Sequence, residues 1–400
     1  MLHAILVNVR KPFLKALPIP IPKLIVGYTA AKQVGELCRE FHIECPLLVT
    51  DKTLTSLGIV EPILCTLQRD DLAYHLFDDI EPDPKFETVR RGVQQFIRHQ
   101  CDGIIALGGG SVIDCAKAIS ASAKTNKDIR NILGLFRVHR PIYPIIAIPT
   151  TAGTGSEVTV ASVISDVSAR KKRAITDPFI VPKAAVLDAT LMVGLPPTLT
   201  AETGADALTH AIESYLSGYA NQDTRRYSIR AIERVFKWLP IAVEDGDNLL
   251  ARQEMALASY EAGFAFTRTY IGYVHAIAHQ LGAFYHIPHG RANGIVLPSV
   301  LRFTALGNMR VIAQLASESG LVAQDTDKIM GYEFIAMVEQ LLLQIAIPQQ
   351  VDELKGGDIP HIAKQAMKEA FAEYPVPVEM SCEQCQDILK TLLKESTNDE

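Results

Sequence analysis

The stretch Asp102-Gly-Ile-Ile-Ala-Leu107, Gly108-Gly109-Gly110-Ser111, Val112-Ile-Asp-Cys-Ala-Lys-Ala-Ile119 reads as strand, glycine turn and helix in that order. An apolar β-rich run ending in glycines and opening an alanine-rich segment is the start of a βα unit. Glycines let the backbone approach a pyrophosphate, and the amides of a helix start carry partial positive charge towards it. The pattern is neither G-x-G-x-x-G nor a Walker loop, so on its own it is also a plain tight βα turn.

Working outward, Pro46–Thr50 and Ile145–Ile148 are further strand-like runs, separated by longer amphipathic stretches through about residue 190. That alternation predicts a parallel sheet with helices on its faces. After Leu195-Pro196-Pro197 apolar residues recur three and four apart with few β-branched runs, which predicts an all-helical second half. The expected division is a nucleotide-binding α/β domain over 1–190 and a helical metal-binding and substrate domain over 191–400, with the boundary near Asp188–Thr200. The first 35 residues hold Arg10, Lys11, Lys15, Lys23 and Lys32 ahead of the first acid, Glu36, but Pro12, Pro18, Pro20 and Pro22 oppose a transit-peptide helix. An extended edge strand is expected there.

The 400 residues carry 39 Lys+Arg against 45 Asp+Glu, a net charge of −6, with 48% apolar side chains, which excludes disorder and any global basic field for nucleic acid. No run of 18 apolar residues is free of charges and breakers, so no membrane partner is expected. Seven cysteines, mostly single within apolar segments, suit a reducing compartment and a cytoplasmic location. Cys382 and Cys385 have metal or redox spacing but stand in a helical-looking tail, where they read as two helical cysteines.

A second small-residue loop, Pro149-Thr150-Thr151-Ala-Gly-Thr154-Gly-Ser-Glu157, follows the run Ile145–Ile148. Two such loops at strand ends form a crevice of the kind that holds ligands in open α/β sheets, with Thr150, Thr151 and Thr154 as donors. Asp51 ends another strand-like run. There its carboxylate would either accept from the hydroxyls of an adenosine ribose, favouring NAD over NADP, or cap a helix beginning at Lys52.

Four histidines, His275, His279, His286 and His289, fall within fifteen residues. Asp206 and His210 are four apart, as are His275 and His279, so each pair projects from one helix face. Pro288 breaks any helix ahead of His289 and can turn it towards the others. One carboxylate with several imidazoles suits iron(II) or zinc(II). Ala276 stands where a zinc protease would carry its glutamate, which argues against that class.

Taken together, Gly108–Lys117, Pro149–Thr159, Asp206–Glu213 and Val274–Gly290 resemble the iron-containing (group III) alcohol dehydrogenases, in family order over most of the chain. The resemblance implies a dehydroquinate synthase-like fold: a Rossmann-like parallel-sheet nucleotide-binding domain followed by an all-helical metal-binding domain. It implies that Asp206, His210, His275 and His289 hold one divalent metal, iron(II) or else zinc(II), and that His279 stands beside the substrate as a proton-handling group. It places Asp51, Gly108, Gly109, Gly110, Ser111, Asp114, Thr150, Thr151, Thr154 and Lys172 around NAD, with NADP second, and Phe266 in the substrate pocket. His286 falls outside the ligand pattern. The implied reaction is hydride transfer between a small primary alcohol or diol and the nicotinamide, with the metal as Lewis acid. A homodimer or larger homo-oligomer is implied as well. Departures from the family lie at Thr267–Ile271, which allows a bulkier or more polar pocket wall, with Arg268 expected to face a helix neighbour or solvent, and at Tyr374-Pro-Val-Pro377, which puts little of the family's chemistry in doubt. The rival readings are an acid-substrate reductase, and a lyase like dehydroquinate synthase, whose pocket needs more Lys and Arg than the metal motifs offer.

Overall fold

The computed structural model describes residues 9–12, 17–167 and 171–394. The chain divides into two compact units. One comprises Pro18–Gly194 with Asp247–Gly263, and the other contains Leu195–Gly246 and Phe264–Glu400.

In the first unit the strands are β1 (Lys23–Val26), β2 (Pro46–Val49), β3 (His75–Phe77), β4 (Gly103–Gly108), β5 (Gly134–Leu135), β6 (Ile145–Pro149), β7 (Ala161–Asp166), β8 (Lys171–Thr176) and β9 (Ala184–Leu187). Its helices are α1 (Val34–Glu40), α2 (Lys52–Ser56), α3 (Glu61–Arg69), α4 (Phe86–Arg98) and α5 (Gly110–Thr125). Six strands form one sheet in the order β1-β9-β6-β4-β2-β3, every pair parallel. Strand alternation sorts the core into two faces: Leu47, Val49, Ile104, Ala106, Ile145 and Ala147 pack on one, and Leu48, Ile105, Leu107, Ile146 and Ile148 on the other. β1 does lie at the edge, as expected of the first 35 residues, but among the described residues strand there is confined to Lys23–Val26, and residues 9–12 are helical. β5, β7 and β8 make a separate three-stranded sheet.

The order matters for function. From β2 the chain adds β3 on one side, then returns to add β4 on the other, so the winding reverses between β2 and β4. Ligands of open α/β sheets bind beyond the carboxyl ends of strands at such a switch point. Asp51 follows β2 and Gly109 follows β4.

The second unit is helical: α6 (Pro197–Leu216), α7 (Gln222–Glu244), the C-terminal part of α8 (Leu249–Thr269), α9 (Tyr273–Tyr285), α10 (His289–Glu318), α11 (Asp327–Gln344), α12 (Ile359–Glu373) and α13 (Cys382–Thr391). α6 is buried almost continuously from Gly204 to Leu216 and packs against α10, while α9 packs against α10 and α12. α9 ends at His286 in the left-handed conformation (φ 57°), and Pro288 caps the start of α10. That sharp turn reverses the chain between His279 and His289. By length and apolar content α10 is the one described helix able to cross a membrane, a feature the sequence reading excluded. Residues Ala292–Leu297 of α10 are buried inside the protein.

Candidate functional site

In the helical unit one ligand atom from each of Asp206, His210, His275 and His289 falls within 4.8 Å of the others. Asp206 and His210 come from successive turns of α6, His275 from the first turn of α9, and His289 from the first residue of α10. Asp206 Oδ1 lies 3.8, 3.7 and 3.4 Å from Nε2 of His210, His275 and His289. Asp206, His210 and His275 are buried. Burial alone would raise the Asp206 carboxyl, yet the three surrounding imidazoles hold it well below the usual carboxylate range. Burial likewise opposes charge on His275, but Glu213 and Asp206 push it up to about 9.

Two side chains that the sequence reading gave no role complete this cluster. Glu213, one turn beyond His210, accepts from His275 Nδ1 at 2.6 Å and from the backbone amides of Gly272 and Val274 at 2.8 and 2.7 Å. Nδ1 donates its hydrogen bond to Glu213, which leaves Nε2, facing Asp206, as the nitrogen that takes up either a second proton or a metal ion; this is the carboxylate–histidine arrangement that orients metal ligands. Asn293, four residues after His289, donates from Nδ2 to Asp206 Oδ1 at 2.8 Å and lies 3.2 Å from Nε2 of both His275 and His289. Its Oδ1 is buried and has no partner. Four potential ligand atoms converging within 4.8 Å, one of them on a buried carboxylate, fit a cation that would displace the protons held there, and one carboxylate with three imidazoles suits iron(II) or zinc(II).

Phe266 stacks on His210 with ring centroids 4.1 Å apart. His279, one turn along α9 from His275, lies 5.3 Å from His289 and 5.8 Å from His275, ring to ring. Its Nδ1 is 2.7 Å from Glu369 Oε1. His286 forms the helix end and is outside the cluster. Arg268 lies over the Phe264 ring at 3.8 Å and donates to the Phe264 carbonyl, a helix neighbour. Tyr270 meets Tyr219 edge-on at 6.2 Å. Cys382 and Cys385 are free cysteines in α13.

In the sheet unit the structure brings the glycine turn and the threonine loop together. A Cβ on Gly110 would fall 2.7 Å from Thr154 Cγ2, and one on Gly109 3.3 Å from Thr151 Oγ1, so glycine is what allows this approach. Thr150 continues the pairing by donating to Gly108. Asp51 caps α2, with Oδ1 accepting from Leu54 at 3.0 Å. Lys172 on β8 pairs with Asp83 at 2.6 Å, and the Asp83 amide donates to Ser111 Oγ, which links these two positions. Asp114 turns inward: its carboxylate accepts from Ser156 Oγ and from the Val163 amide, tying α5 to the threonine loop and β7. Lys117 is fully buried and donates to Ser156, Thr159 and Ala161.

Comparisons with known proteins identify the family and the fold. Residues 21–189 match the model of the iron-containing alcohol dehydrogenases, and residues 200–393 match the C-terminal model of the Fe-containing alcohol dehydrogenase family. The chain is 40% identical to 1,3-propanediol dehydrogenase of Klebsiella pneumoniae over 351 residues, covering 86% of this chain and 91% of that one. A crystal structure of 1,3-propanediol oxidoreductase superposes with a TM-score of 0.90 at 37% identity, covering 94% of this chain and 99% of that one. Sulfoacetaldehyde reductase from Bifidobacterium kashiwanohense, solved with NAD+, superposes with a TM-score of 0.84 at 27% identity, over 94% and 99% of the two chains. The fold is thus that of the metal-dependent dehydrogenases with a parallel sheet and a helical domain. The chain belongs to the iron-containing alcohol dehydrogenase family, as an oxidoreductase interconverting alcohols and aldehydes.

Proposed function

We propose that this dehydrogenase interconverts a small primary alcohol or diol with its aldehyde, using NAD(H) ahead of NADP(H) and iron(II), with zinc(II) as the alternative ion. The observation that carries the reading is the cluster of Asp206, His210, His275 and His289, whose ligand atoms converge within 4.8 Å of one another. The relation to a 1,3-propanediol dehydrogenase supports a short diol. Asp51 at the switch point supports NAD, because its charge opposes a 2′-phosphate.

The ion supplies a Lewis acid that lowers the pKa of the alcohol oxygen, and the nicotinamide supplies the hydride acceptor. The protein orients and shields. Phe266, stacked on His210, covers that imidazole with an apolar face. His279, beside the cluster, hands the substrate proton on or returns it. Gly108, Gly109, Gly110, Ser111, Thr150, Thr151 and Thr154 line the dinucleotide, Lys172 reaches its phosphates, and Asp114 acts behind them by holding the threonine loop. We assign the dinucleotide to 1–190 and metal and substrate to 191–400, except that Asp247–Gly263 is grouped with the sheet unit. A cytoplasmic location, supported by the free cysteines, and a homodimeric or larger assembly complete the reading.

Anaerobic assays of NADH oxidation with short aldehydes, a diol-derived aldehyde and a keto acid test the proposal, before and after chelation and with iron(II) or zinc(II) restored. Metal-dependent turnover of the aldehydes is expected. Turnover confined to the keto acid, or none in any metal state by folded protein that binds NADH, would overturn it.

A further inference from the structure

His279 is held from the far end of the chain. Its Nδ1 lies 2.7 Å from Glu369 Oε1 on α12. The same carboxylate accepts from the Tyr374 hydroxyl on Oε1 at 2.6 Å and from the Gln280 amide on Oε2 at 2.9 Å. The Tyr374 hydroxyl and the Gln280 amide both donate to this carboxylate and favour its ionised form, in which it has no proton to give and accepts the Nδ1 hydrogen bond of His279. Tyr374 is buried, and it belongs to the Tyr374-Pro-Val-Pro377 segment that departs from the family. The sequence reading gave that segment no role, and its first residue holds the carboxylate that pairs with His279.

We propose that Glu369 is a positioning residue for the dehydrogenase reaction, locking His279 in the Nδ1-protonated tautomer and turning Nε2 towards the substrate, with Tyr374 and Gln280 holding the carboxylate in place. The proposal rests on the reading of His279 as the substrate-side group. In the opposite tautomer Nε2 would carry the proton and could not receive one from an alcohol. With the ring released from Glu369, the productive orientation becomes one among several. The cost falls on kcat, because no contact used in substrate binding is removed.

The test uses the full-length enzyme loaded with zinc(II), which is diamagnetic, and selective nitrogen-15 labelling of histidine. Glu369→Ala is expected to lower kcat about 10- to 100-fold, the usual cost of removing such an outer carboxylate. KM should change less than about threefold and zinc content should be unchanged. The His279 nitrogen signals, assigned by their loss in His279→Asn, should pass from one fixed tautomer to a mixture. Glu369→Gln keeps an acceptor for Nδ1 and should retain the tautomer and most of kcat. If Glu369→Ala does not fold, Tyr374→Phe replaces it, with an expected loss of about fivefold in kcat, the worth of one hydrogen bond. An unchanged tautomer in Glu369→Ala, or equal losses in the alanine and glutamine variants, would overturn the proposal. If His279→Asn keeps full kcat, the role of His279 falls, and the tautomer measurement alone decides whether Glu369 holds the ring.

Discussion

Gly290→Ala is a one-carbon change next to a ligand, and its effect can be worked from the contact it creates. A Cβ on Gly290 would stand 2.0 Å from the Glu202 carbonyl oxygen and 2.7 Å from its carbon. Both obstacles are backbone of α6, one turn before Asp206, so no side chain can swing away. An ordinary C···O contact is about 3.3 Å, so the start of α10 must retreat from α6 by about 1.3 Å. His289, the preceding residue, rides on that movement, whereas Asp206 and His210 stay with α6. Metal sites tolerate about 0.2 Å of ligand displacement, several times less than the shift required. The expected result is a metal affinity at least about 100-fold weaker, with an overpacking cost of about 1–3 kcal/mol in the metal-free protein. Competition with a chromophoric chelator reads the first, and denaturant unfolding of the apoprotein the second. A Gly290→Ala protein that binds zinc(II) as the parent does would refute the inference that this close approach of the helices sets the ligand geometry.

Three further outcomes follow from other contacts. Glu213→Gln should weaken metal binding about 10- to 100-fold, since the new amide presents hydrogens to the donors of Gly272, Val274 or His275; chelator competition with parent-like affinity would contradict it. Asp51→Asn preserves a good N-cap for α2, so folding should be unaffected. Removing its charge should raise the NADPH-to-NADH ratio of kcat/KM about fivefold or more, as about 1 kcal/mol of repulsion is relieved; an unmoved ratio argues against a ribose contact. Burial holds Lys117 down to about 8 from 10.5. Between those values the unfolded chain binds a proton that the folded chain lacks, so stability should climb as pH rises through that window. Lys117→Met should flatten the climb in urea titrations, and an unaltered slope would place the charge elsewhere.

The middle of the sheet was legible because β2, β4 and β6 announce themselves locally, whereas the short β3 and β9 went unread. Gly103–Gly108 is an unbroken apolar run closed by glycines, and burial on both faces leaves such a strand no polar positions. The metal cluster was legible because Asp206/His210 and the α9 histidines carry helical spacing, and Pro288 marks the turn between His279 and His289. Its supports were not. Glu213 and Asn293 sit one turn from ligands, which is a usable signal, but a glutamate or asparagine at that spacing is equally at home on a solvated face. Glu369 and Tyr374 carry no local signal, because what they do depends on how α12 packs on α9. Asp114 illustrates the converse. Its place in the glycine-turn motif suggested a cofactor contact, while the partners that hold its carboxylate, Ser156 and Val163, come from later in the chain. Asp51 left helix cap and ribose contact open, and the structure shows the cap.

α9 uses the same device twice, with different stiffness. His275 and His279 stand one turn apart, and each gives its Nδ1 to a carboxylate. Glu213 is anchored by two backbone amides at the start of α9, and its ion pair with His275 is almost wholly buried, at 1% and 6% side-chain exposure. Backbone donors cannot rotate, and a buried pair has no water to exchange with, so His275 is fixed. Among the described residues Glu369 is anchored by the side chains of Tyr374 and Gln280 and by no backbone amide, and its pair with His279 is 35% and 27% exposed. Side-chain donors can follow a shifting carboxylate, and water can reach the pair. In the roles proposed above, His275 as a ligand that sets coordination geometry benefits from the first arrangement, and His279 as a group that receives a proton and releases it to solvent is served by the second. The helix therefore carries the rigid and the compliant histidine on adjacent turns, and the difference between them lies in what holds each carboxylate.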